Sequence, residues 1–139
     1  RDGCRTPMVW DHSQQYGGFS EALPWLPVPP EHVANAVSSQ EDDPASMLNH
    51  YRAFLAFRRD QKSLVKGEIT FLHADEHLLA FTREFENERL LCVFNLSNAP
   101  AIYDVPDGME VRALPSGFGG MVDDGRVMLK AFDAMIGVS

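Results

Sequence analysis

Two short stretches hold residue types that could carry out catalytic or metal chemistry. Asp11-His12-Ser13 places an acid, a base and a nucleophile side by side. In a working catalytic triad these side chains are brought together by folding, so adjacency in sequence does not indicate a nucleophilic site. We therefore interpret the three residues as ordinary loop residues.

The second stretch runs from His73 to His77 and could suggest a metal site. Its two histidines flank Asp75 and Glu76, but the stretch straddles a predicted turn and lacks the helical context of zinc motifs. We expect surface histidines there. The remaining paired acids are interpreted as cap and turn residues rather than calcium ligands: Asp42, Asp43, Asp123 and Asp124. No metal site is predicted.

Two formal motifs are also weak. Gly117-Phe118-Gly119-Gly120 is not followed by a predicted helix, so we interpret it as a turn and not as a phosphate-binding loop. Asn95-Leu96-Ser97 has the form of an N-glycosylation sequon, but nothing in the sequence indicates secretion.

Composition limits the class of protein. The chain has 139 residues and a net charge of -8, which argues against nucleic acid or an anionic membrane as partner. No apolar run approaches the roughly 20 residues of a membrane-spanning helix. The length is too short for a complete eight-fold α/β barrel, which takes roughly 250 residues. Cys4 and Cys92 are too few for a disulfide framework, and we expect two buried, reduced thiols, with a bridge between them as the less favoured alternative.

The first part of the chain is predicted to contain a long loop followed by a helix, which would position any functional residues of the loop. Residues 1–42 are predicted to form a long loop, because prolines and Gly17-Gly18 interrupt regular structure while apolar side chains attach the segment to a core. A short helical turn is expected near Glu31–Val37. Residues 44–62 predict an amphipathic helix, with Asp43 as N-cap and Pro44 at the first position.

From Gly67 onward the pattern becomes typical of strands. Turn signals such as Asp107-Gly108 separate short apolar runs, which predicts an antiparallel sheet or a small sandwich. The predicted strands lie near 68–73, 78–84, 89–96, 101–104, 109–114, 126–130 and 132–138.

Several motifs occur in the order found in one enzyme family. The stretch from Arg1 to Asp11 reads RDGCRTPMVWD and resembles the RDxxRTPMxWD segment of α-glucosidases in glycoside hydrolase family 13, within the α-amylase superfamily. The later GFS and WLPV stretches repeat the spacing of that family. Residues 44–62 resemble its last barrel helix, and LCVFNLS, starting at Leu91, resembles a strand of its C-terminal domain. The RDGC form is most similar to bacterial α-glucosidases, oligo-1,6-glucosidases and glucosyl-transferring relatives.

This resemblance implies a fold class of α/β plus all-β. Residues 1–65 would form the end of a catalytic (β/α)8 TIM barrel, comprising the long loop after strand 8 and helix 8. Residues 66–139 would form a C-terminal antiparallel β-sandwich domain. Because active sites of such barrels lie among the loops that follow the strands, the early loop would belong to the site.

The resemblance further implies a retaining, exo-acting α-glucosidase for short α-linked gluco-oligosaccharides, with some capacity for transglucosylation. Such enzymes use a carboxylate nucleophile and a carboxylic acid. Both groups, and a third aspartate, are expected upstream of Arg1. No catalytic residue is therefore assigned in this segment.

Three residues of the opening motif receive roles through the resemblance. Arg1 corresponds to the arginine that hydrogen-bonds the non-reducing glucosyl unit, and its fork of donors suits adjacent hydroxyls; a scaffolding role is the alternative. Asp2 and Arg5 are predicted to form a pair that fixes the loop.

Three aromatic residues could stack on sugar rings or anchor the loop on the barrel. Anchoring is favoured for Trp10 and Trp25. Phe19 is predicted to line the outer substrate subsites, with anchoring as the alternative.

Other functions stay open. The protein could be a sucrose or trehalose isomerase of the same family, or a non-enzymatic relative similar to amino-acid transporter heavy chains. The β domain could be a carbohydrate-binding module, with Tyr103 and Phe118 as exposed candidates. Expected partners are small α-glucosides or oligosaccharides and the rest of the barrel, with no nucleic acid or membrane.

We expect a cytoplasmic protein. No cofactor is expected in this segment, and a structural calcium ion elsewhere in the parent enzyme is compatible with the family.

Overall fold

The computed structural model describes residues 2–115 and 118–139. The chain forms two compact units that divide between Ala53 and Phe54. The described residues contain four α-helices: α1 (Pro30–Val33), α2 (Val37–Gln40), α3 (Met47–Asp60) and α4 (Lys62–Lys66). They also contain eight strands: β1 (Glu68–Ala74), β2 (Leu78–Phe85), β3 (Glu88–Asn95), β4 (Ala101–Asp104), β5 (Arg112–Ala113), β6 (Met121–Asp123), β7 (Arg126–Leu129) and β8 (Ala134–Val138).

The first unit is mostly loop, as predicted, and backbone hydrogen bonds fold that loop back on itself. The N–H groups of Val37 and Ser38 donate to the carbonyls of Val9 and Trp10, at 3.0 and 2.9 Å. The Val9 side chain is buried. These bonds satisfy backbone groups that a long irregular segment would otherwise leave unpaired, so the loop has a defined shape.

Helix α3 begins later than predicted. Ser46, and not Asp43, occupies the N-cap, because its hydroxyl accepts a hydrogen bond from the Asn49 N–H at 3.2 Å. Asp43 instead accepts from the Ala45 N–H in a turn before the helix, at 2.9 Å. The Gln40 side chain accepts from the Leu48 N–H at 3.1 Å, which satisfies another free donor of the first turn.

The second unit contains two antiparallel sheets. The larger sheet has the strand order β1-β2-β3-β8-β5, and the smaller has the order β4-β7-β6. One hydrophobic cluster draws residues from both sheets: Ala80, Leu91, Val93, Tyr103, Val127, Leu129 and Met135. Because the two sheets share a core, the predicted antiparallel β-sandwich is confirmed.

The opposite face of the larger sheet is also covered. Leu90, Cys92 and Ile136 are buried with Leu64 of α4 in a second cluster, and Phe54 and Phe57 of α3 pack against it. Strand β3 is thus buried on both faces, which explains why LLCVF is a continuous apolar run and not an alternating one.

Several parts of the second unit differ from the prediction. Strand β5 covers only Arg112–Ala113, where the predicted strand was 109–114. The helical segment ends at Asp60, because Gln61 adopts an extended conformation (φ -101°, ψ 101°) before α4 begins. Strand β6 was not predicted, since Met121–Asp123 is short and pairs only through the hairpin with β7. The turn predicted at Gly117–Gly120 includes Gly117, which lies outside the described residues.

Both cysteines are described, and no disulfide joins them. Cys92 is buried as expected, but the expectation of burial is wrong for Cys4, which is exposed. Burial raises the pKa of the Cys92 thiol to about 12. Across residues 2–115 and 118–139, each helix is too short or too polar to cross a bilayer. The predicted domain boundary between residues 65 and 66 stays a prediction.

Candidate functional site

The loop of the first unit borders an open groove of about 620 Å³. Its lining consists of polar side chains, one aromatic ring and a glycine: Gln14, Gln15, Gly18, Phe19, Ser20 and Glu21. Such a combination of oriented hydrogen-bonding groups and an apolar plane is typical of small-molecule sites. The groove is therefore the candidate functional site of this unit.

Asp11 organises one side of this groove. Its Oδ1 accepts hydrogen bonds from the Ser13 N–H at 2.9 Å and the Ser13 hydroxyl at 2.8 Å. Its Oδ2 accepts from the Gln14 side-chain amide at 2.9 Å. The bonds from Ser13 and Gln14 lower the pKa of the Asp11 carboxyl, because hydrogen bonding favours the charged form. Asp11 therefore stays ionised and holds Gln14 in place.

The hydrogen bond to Asp11 fixes the orientation of the Gln14 side-chain amide. One of its N–H donors is engaged by Asp11, whereas its Oε1 lies beside Gly18, 3.5 Å from the position that a Cβ would take there. Gly18 has φ +66°, a conformation that suits glycine. A side chain at this position would be strained by the left-handed backbone, whereas its Cβ would meet the amide oxygen only at ordinary van der Waals distance.

The other side of the groove offers complementary chemistry. The Phe19 side chain is 51% exposed. The Ser20 hydroxyl accepts from the Ala22 N–H at 3.0 Å, so its own proton is available to a ligand. Glu21 adds a carboxylate, which is the one charged group among the described residues that line the groove. This set suits a neutral ligand with several hydroxyls and disfavours an anion.

The opening motif contains three predicted site residues, Arg1, Asp2 and Arg5. Arg1 lies outside the described residues, so its sugar-binding role stays a prediction. The Arg5 N–H donates to the Asp2 carbonyl at 2.9 Å. Both residues are described, and no ion pair joins their side chains, so the contact between them is a backbone one.

The tryptophans of the loop are solvent-exposed within the described chain. Trp10 is 53% exposed and Trp25 is 83% exposed. The Trp10 backbone nevertheless contributes to the loop, since its N–H donates to the Gly17 carbonyl at 2.8 Å. Their predicted anchoring concerns a barrel surface beyond this segment and stays a prediction.

The triad residue types do not form a relay. Asp11 bonds to Ser13 and Gln14, whereas His12 Nδ1 lies 2.9 Å from the Ser38 hydroxyl. The interpretation of Asp11-His12-Ser13 as loop residues agrees with these bonds.

The histidine-rich turn between β1 and β2 is a local hydrogen-bonded structure. Asp75 Oδ1 accepts from the His77 and Leu78 N–H groups, and His73 Nε2 lies 2.9 Å from Asp75 Oδ2. Within the described ranges, no group of three or more His, Cys, Asp or Glu side chains could hold a metal ion.

The degree of burial tests two interpretations of the β domain, the glycosylation sequon at Asn95 and the exposed rings of Tyr103 and Phe118. Asn95 is 2% exposed, and its side-chain nitrogen donates to the carbonyls of Ala99 and Lys130 at 2.7 Å each. It is therefore a structural residue and not an accessible sequon.

Tyr103 is 8% exposed within the sandwich core, and Phe118 packs against Phe54 and Phe94. The suggestion that these two rings are exposed sugar platforms is wrong for Tyr103.

Sequence reasoning singled out Phe19 in the groove but missed Gln14, Ser20 and Glu21. An Asp-x-Ser turn is a recognisable local signal, and it could have indicated the Asp11–Ser13 bond. The Gln14 amide is oriented by its hydrogen bond to Asp11 Oδ2, which no sequence signal indicated.

Comparison with known families divides the chain near the end of α4. Residues 1–67 match the family model described as the catalytic domain of α-amylase. Residues 69–135 match the family model described as the C-terminal domain of maltogenic amylase. The two matches together account for nearly the whole chain.

Individual relatives are similar over much of the chain. A probable α-glucosidase of Rhizobium meliloti (strain 1021) is 47% identical over 134 residues, which cover 96% of this chain and 24% of the relative. A probable oligo-1,6-glucosidase 2 of Bacillus subtilis (strain 168) is 36% identical over 107 residues, covering 76% and 19%. The crystal structure of the α-glucosyl transfer enzyme XgtA superposes with a TM-score of 0.91 at 40% identity, covering 100% of this chain and 26% of that one. The chain thus spans about a quarter or less of the length of these relatives.

Proposed function

The chain belongs to the α-amylase family, glycoside hydrolase family 13, and we propose that it is the C-terminal part of a retaining, exo-acting α-glucosidase. Family membership accounts for the fold, the end of a (β/α)8 barrel followed by an antiparallel β-sandwich. We propose that residues 1–65 complete the barrel and that residues 66–139 stabilise it.

The observation that carries this proposal is the chemistry of the groove. An acceptor at Gln14, a hydroxyl at Ser20, a carboxylate at Glu21 and the exposed ring of Phe19 match a neutral sugar. The apolar face of a pyranose can lie on an aromatic ring while its hydroxyls reach the polar groups. The groove would bind the sugar on the leaving-group side of the scissile bond.

The remaining chemistry is assigned to other parts of the protein. Arg1 would hold the non-reducing glucosyl unit, since a guanidinium offers several donors in a fixed fork. The nucleophile and the acid–base carboxyl would lie on upstream barrel strands, about 5 to 5.5 Å apart, as retention requires. Substrates would be short α-linked gluco-oligosaccharides.

A transfer reaction is favoured as a second activity of the same site. The relative XgtA is described as an α-glucosyl transfer enzyme and is 40% identical. A groove that binds a sugar well also retains an acceptor long enough to compete with water for the glucosyl–enzyme intermediate. Sucrose or trehalose isomerisation would be an internal form of the same transfer.

We further propose a cytoplasmic location, as expected from the sequence. A structural calcium ion, if present, would be held by other parts of the parent enzyme.

The test uses the full-length protein and compares α-glucosyl fluoride, maltose and isomaltose as substrates. Wild type is expected to release glucose from the fluoride and from at least one disaccharide. Arg1→Ala should largely abolish both reactions with the circular dichroism spectrum unchanged. A wild type without activity on any of these substrates would refute the proposal and favour the transporter-like, non-enzymatic alternative.

The role of the groove is tested separately with Phe19→Ala. Its kcat/KM for the disaccharide should fall by about 3- to 10-fold relative to its kcat/KM for the fluoride, because a stacking contact contributes roughly 1 kcal/mol. Phe132→Ala removes another exposed phenylalanine, 71% accessible and in the β-sandwich, and serves as the matched control. An unchanged ratio in Phe19→Ala would assign Phe19 to loop anchoring.

A further inference from the structure

The groove of the first unit carries a negative charge that a neutral sugar does not use. Glu21 is exposed and lines this groove. Within residues 2–115 and 118–139, its carboxylate has neither a hydrogen bond nor an ion pair. A free carboxylate in a ligand groove is available to a ligand that carries the opposite charge.

Asp11 places a second carboxylate at the same groove. Its Oδ2 accepts a hydrogen bond from the side-chain amide of Gln14, a lining residue, at 2.9 Å. Its Cβ lies 3.5 Å from the position that a Cβ would take on Gly18, another lining residue. Hydrogen bonds from Ser13 and Gln14 lower the pKa of the Asp11 carboxyl. This carboxylate therefore keeps its charge and adds to the field of Glu21.

The described cations of the first unit do not offset this charge. No lysine or arginine is among the described residues that line the groove. Arg52 pairs with Glu41 at 2.8 Å, and the whole chain has a net charge of -8. A cleft lined by charge of one sign raises the local concentration of oppositely charged ligands. The field in the groove therefore favours a cationic ligand over a neutral one of the same shape.

We propose that the groove accepts amino sugars, with the ammonium group of the ligand paired to Glu21 and its hydroxyls bonded to Gln14 and Ser20. An ammonium group offers three donors and no acceptor, which suits a carboxylate. The Ser20 hydroxyl keeps its proton for a sugar oxygen, because it accepts from the Ala22 N–H at 3.0 Å. A simple alkylammonium ion lacks the hydroxyls that these polar groups bind.

This inference rests on the proposed function, because it names a class of acceptor for the transfer reaction. The amine binds and does not react. A hydroxyl oxygen of the amino sugar forms the new bond to C1 of the glucosyl–enzyme intermediate. The bond from C1 to the nucleophilic carboxylate breaks, and its electron pair stays on that carboxylate. The hydroxyl proton passes to the acid–base carboxylate, so the reaction needs no further reactant.

The experiment is a competition between two acceptors on the full-length protein, with α-glucosyl fluoride as donor. Glucosamine and glucose are supplied at equal concentration, at low ionic strength and below about pH 6.5, where a primary amine is protonated. Mass spectrometry quantifies the two disaccharide products at early times, and a fluoride electrode follows cleavage of the donor. Because the transferred glucosyl group already fills its own pocket, the product ratio reports on the acceptor side.

Glu21→Gln should lower the ratio of amino-sugar product to glucose product by about 2- to 5-fold, the range for one exposed ion pair. Glu31→Gln removes the same charge from α1, outside the groove lining, and should retain the wild-type ratio. Added sodium chloride should lower the wild-type ratio, because salt screens an exposed pair. A ratio that is unchanged in Glu21→Gln, or that falls equally in Glu31→Gln, would overturn the proposal.

The fluoride signal separates this proposal from the function on which it rests. A wild type that releases fluoride but forms no amino-sugar product would overturn the acceptor proposal alone and leave the glucosidase activity in place. A wild type that releases no fluoride would overturn both.

Discussion

Glu88 and Ser63, 25 residues apart, are joined by a pair of hydrogen bonds to one carboxylate oxygen. Glu88 Oε2 accepts from the Ser63 N–H at 2.7 Å and lies 2.5 Å from the Ser63 hydroxyl oxygen. The same hydroxyl is 2.9 Å from the Glu88 carbonyl oxygen. Because Ser63 lies in the first turn of α4 and Glu88 begins β3, this contact caps the helix and attaches it to the central strand.

This contact predicts coupled losses of stability. Ser63→Ala and Glu88→Ala should each lower the free energy of unfolding of the β domain by about 1–2 kcal/mol, since either change removes a part-buried cap. The double variant should lose clearly less than the sum of the two losses, because both residues act through one interaction. Denaturant unfolding of the full-length protein and its three variants measures this cycle. Strictly additive losses would mean that the two residues act independently.

The orientation of Gln14 by Asp11 predicts a selective effect on sugar binding. Asp11→Asn keeps the size of the side chain but replaces one acceptor by a donor, which releases the Gln14 amide. The KM for the disaccharide should rise about 3- to 10-fold, the equivalent of roughly 1 kcal/mol for one hydrogen bond. Gln14→Met should give a similar rise, whereas Gln61→Met, the same change outside the groove, serves as control. Equal KM values in wild type and both groove variants would exclude a role for this pair in binding.

The turn between β1 and β2 predicts a defined acid dependence. Hydrogen bonds from the Leu78 and His77 N–H groups and from His73 lower the pKa of Asp75 from 3.8 to about 2. A carboxyl with a lowered pKa in the folded state stabilises that state above its unfolded pKa and loses this effect as the pH falls. The Tm of wild type should therefore decline relative to that of Asp75→Asn between pH 3.8 and about 2. A Tm difference that is constant over this range would contradict the assignment.

The buried amide of Asn95 predicts a large effect from a small change. Its side-chain nitrogen donates to the Ala99 and Lys130 carbonyls, and its oxygen accepts from Ser97. In Asn95→Asp a carboxylate would face two carbonyl oxygens in a buried position. The domain should lose about 3–5 kcal/mol of stability, the scale for an uncompensated buried charge, as measured by denaturant unfolding. Asn87→Asp, in the exposed turn between β2 and β3, is the control, and equal losses in both variants would argue against a structural role for Asn95.

Local patterns in the sequence were sufficient for much of the β domain. Strands β1, β2 and β3 lie within one residue of their predicted limits, because tight turns at Asp75 and Asn87 separate runs of strand-forming residues. The resemblance of the opening motif indicated the family, and the length of 139 residues excluded a complete barrel within this chain. These inferences depend only on neighbouring residues or on their order along the chain.

Other features were decided by contacts between distant residues. The new helical start at α4 depends on the Glu88 carboxylate, 25 residues from Ser63. The start of α3 depends on Ser46 and on the Gln40 side chain, which outcompete the plausible cap at Asp43. The groove was reachable from the sequence only through Phe19, because the hydrogen bond from the Gln14 amide to Asp11 was not anticipated. Sequence alone determined most of the helix, strand and loop segments. The tertiary structure decided strand β6, the separate helix α4 and the ends of the other elements, because a hydrogen bond between remote residues leaves no local pattern.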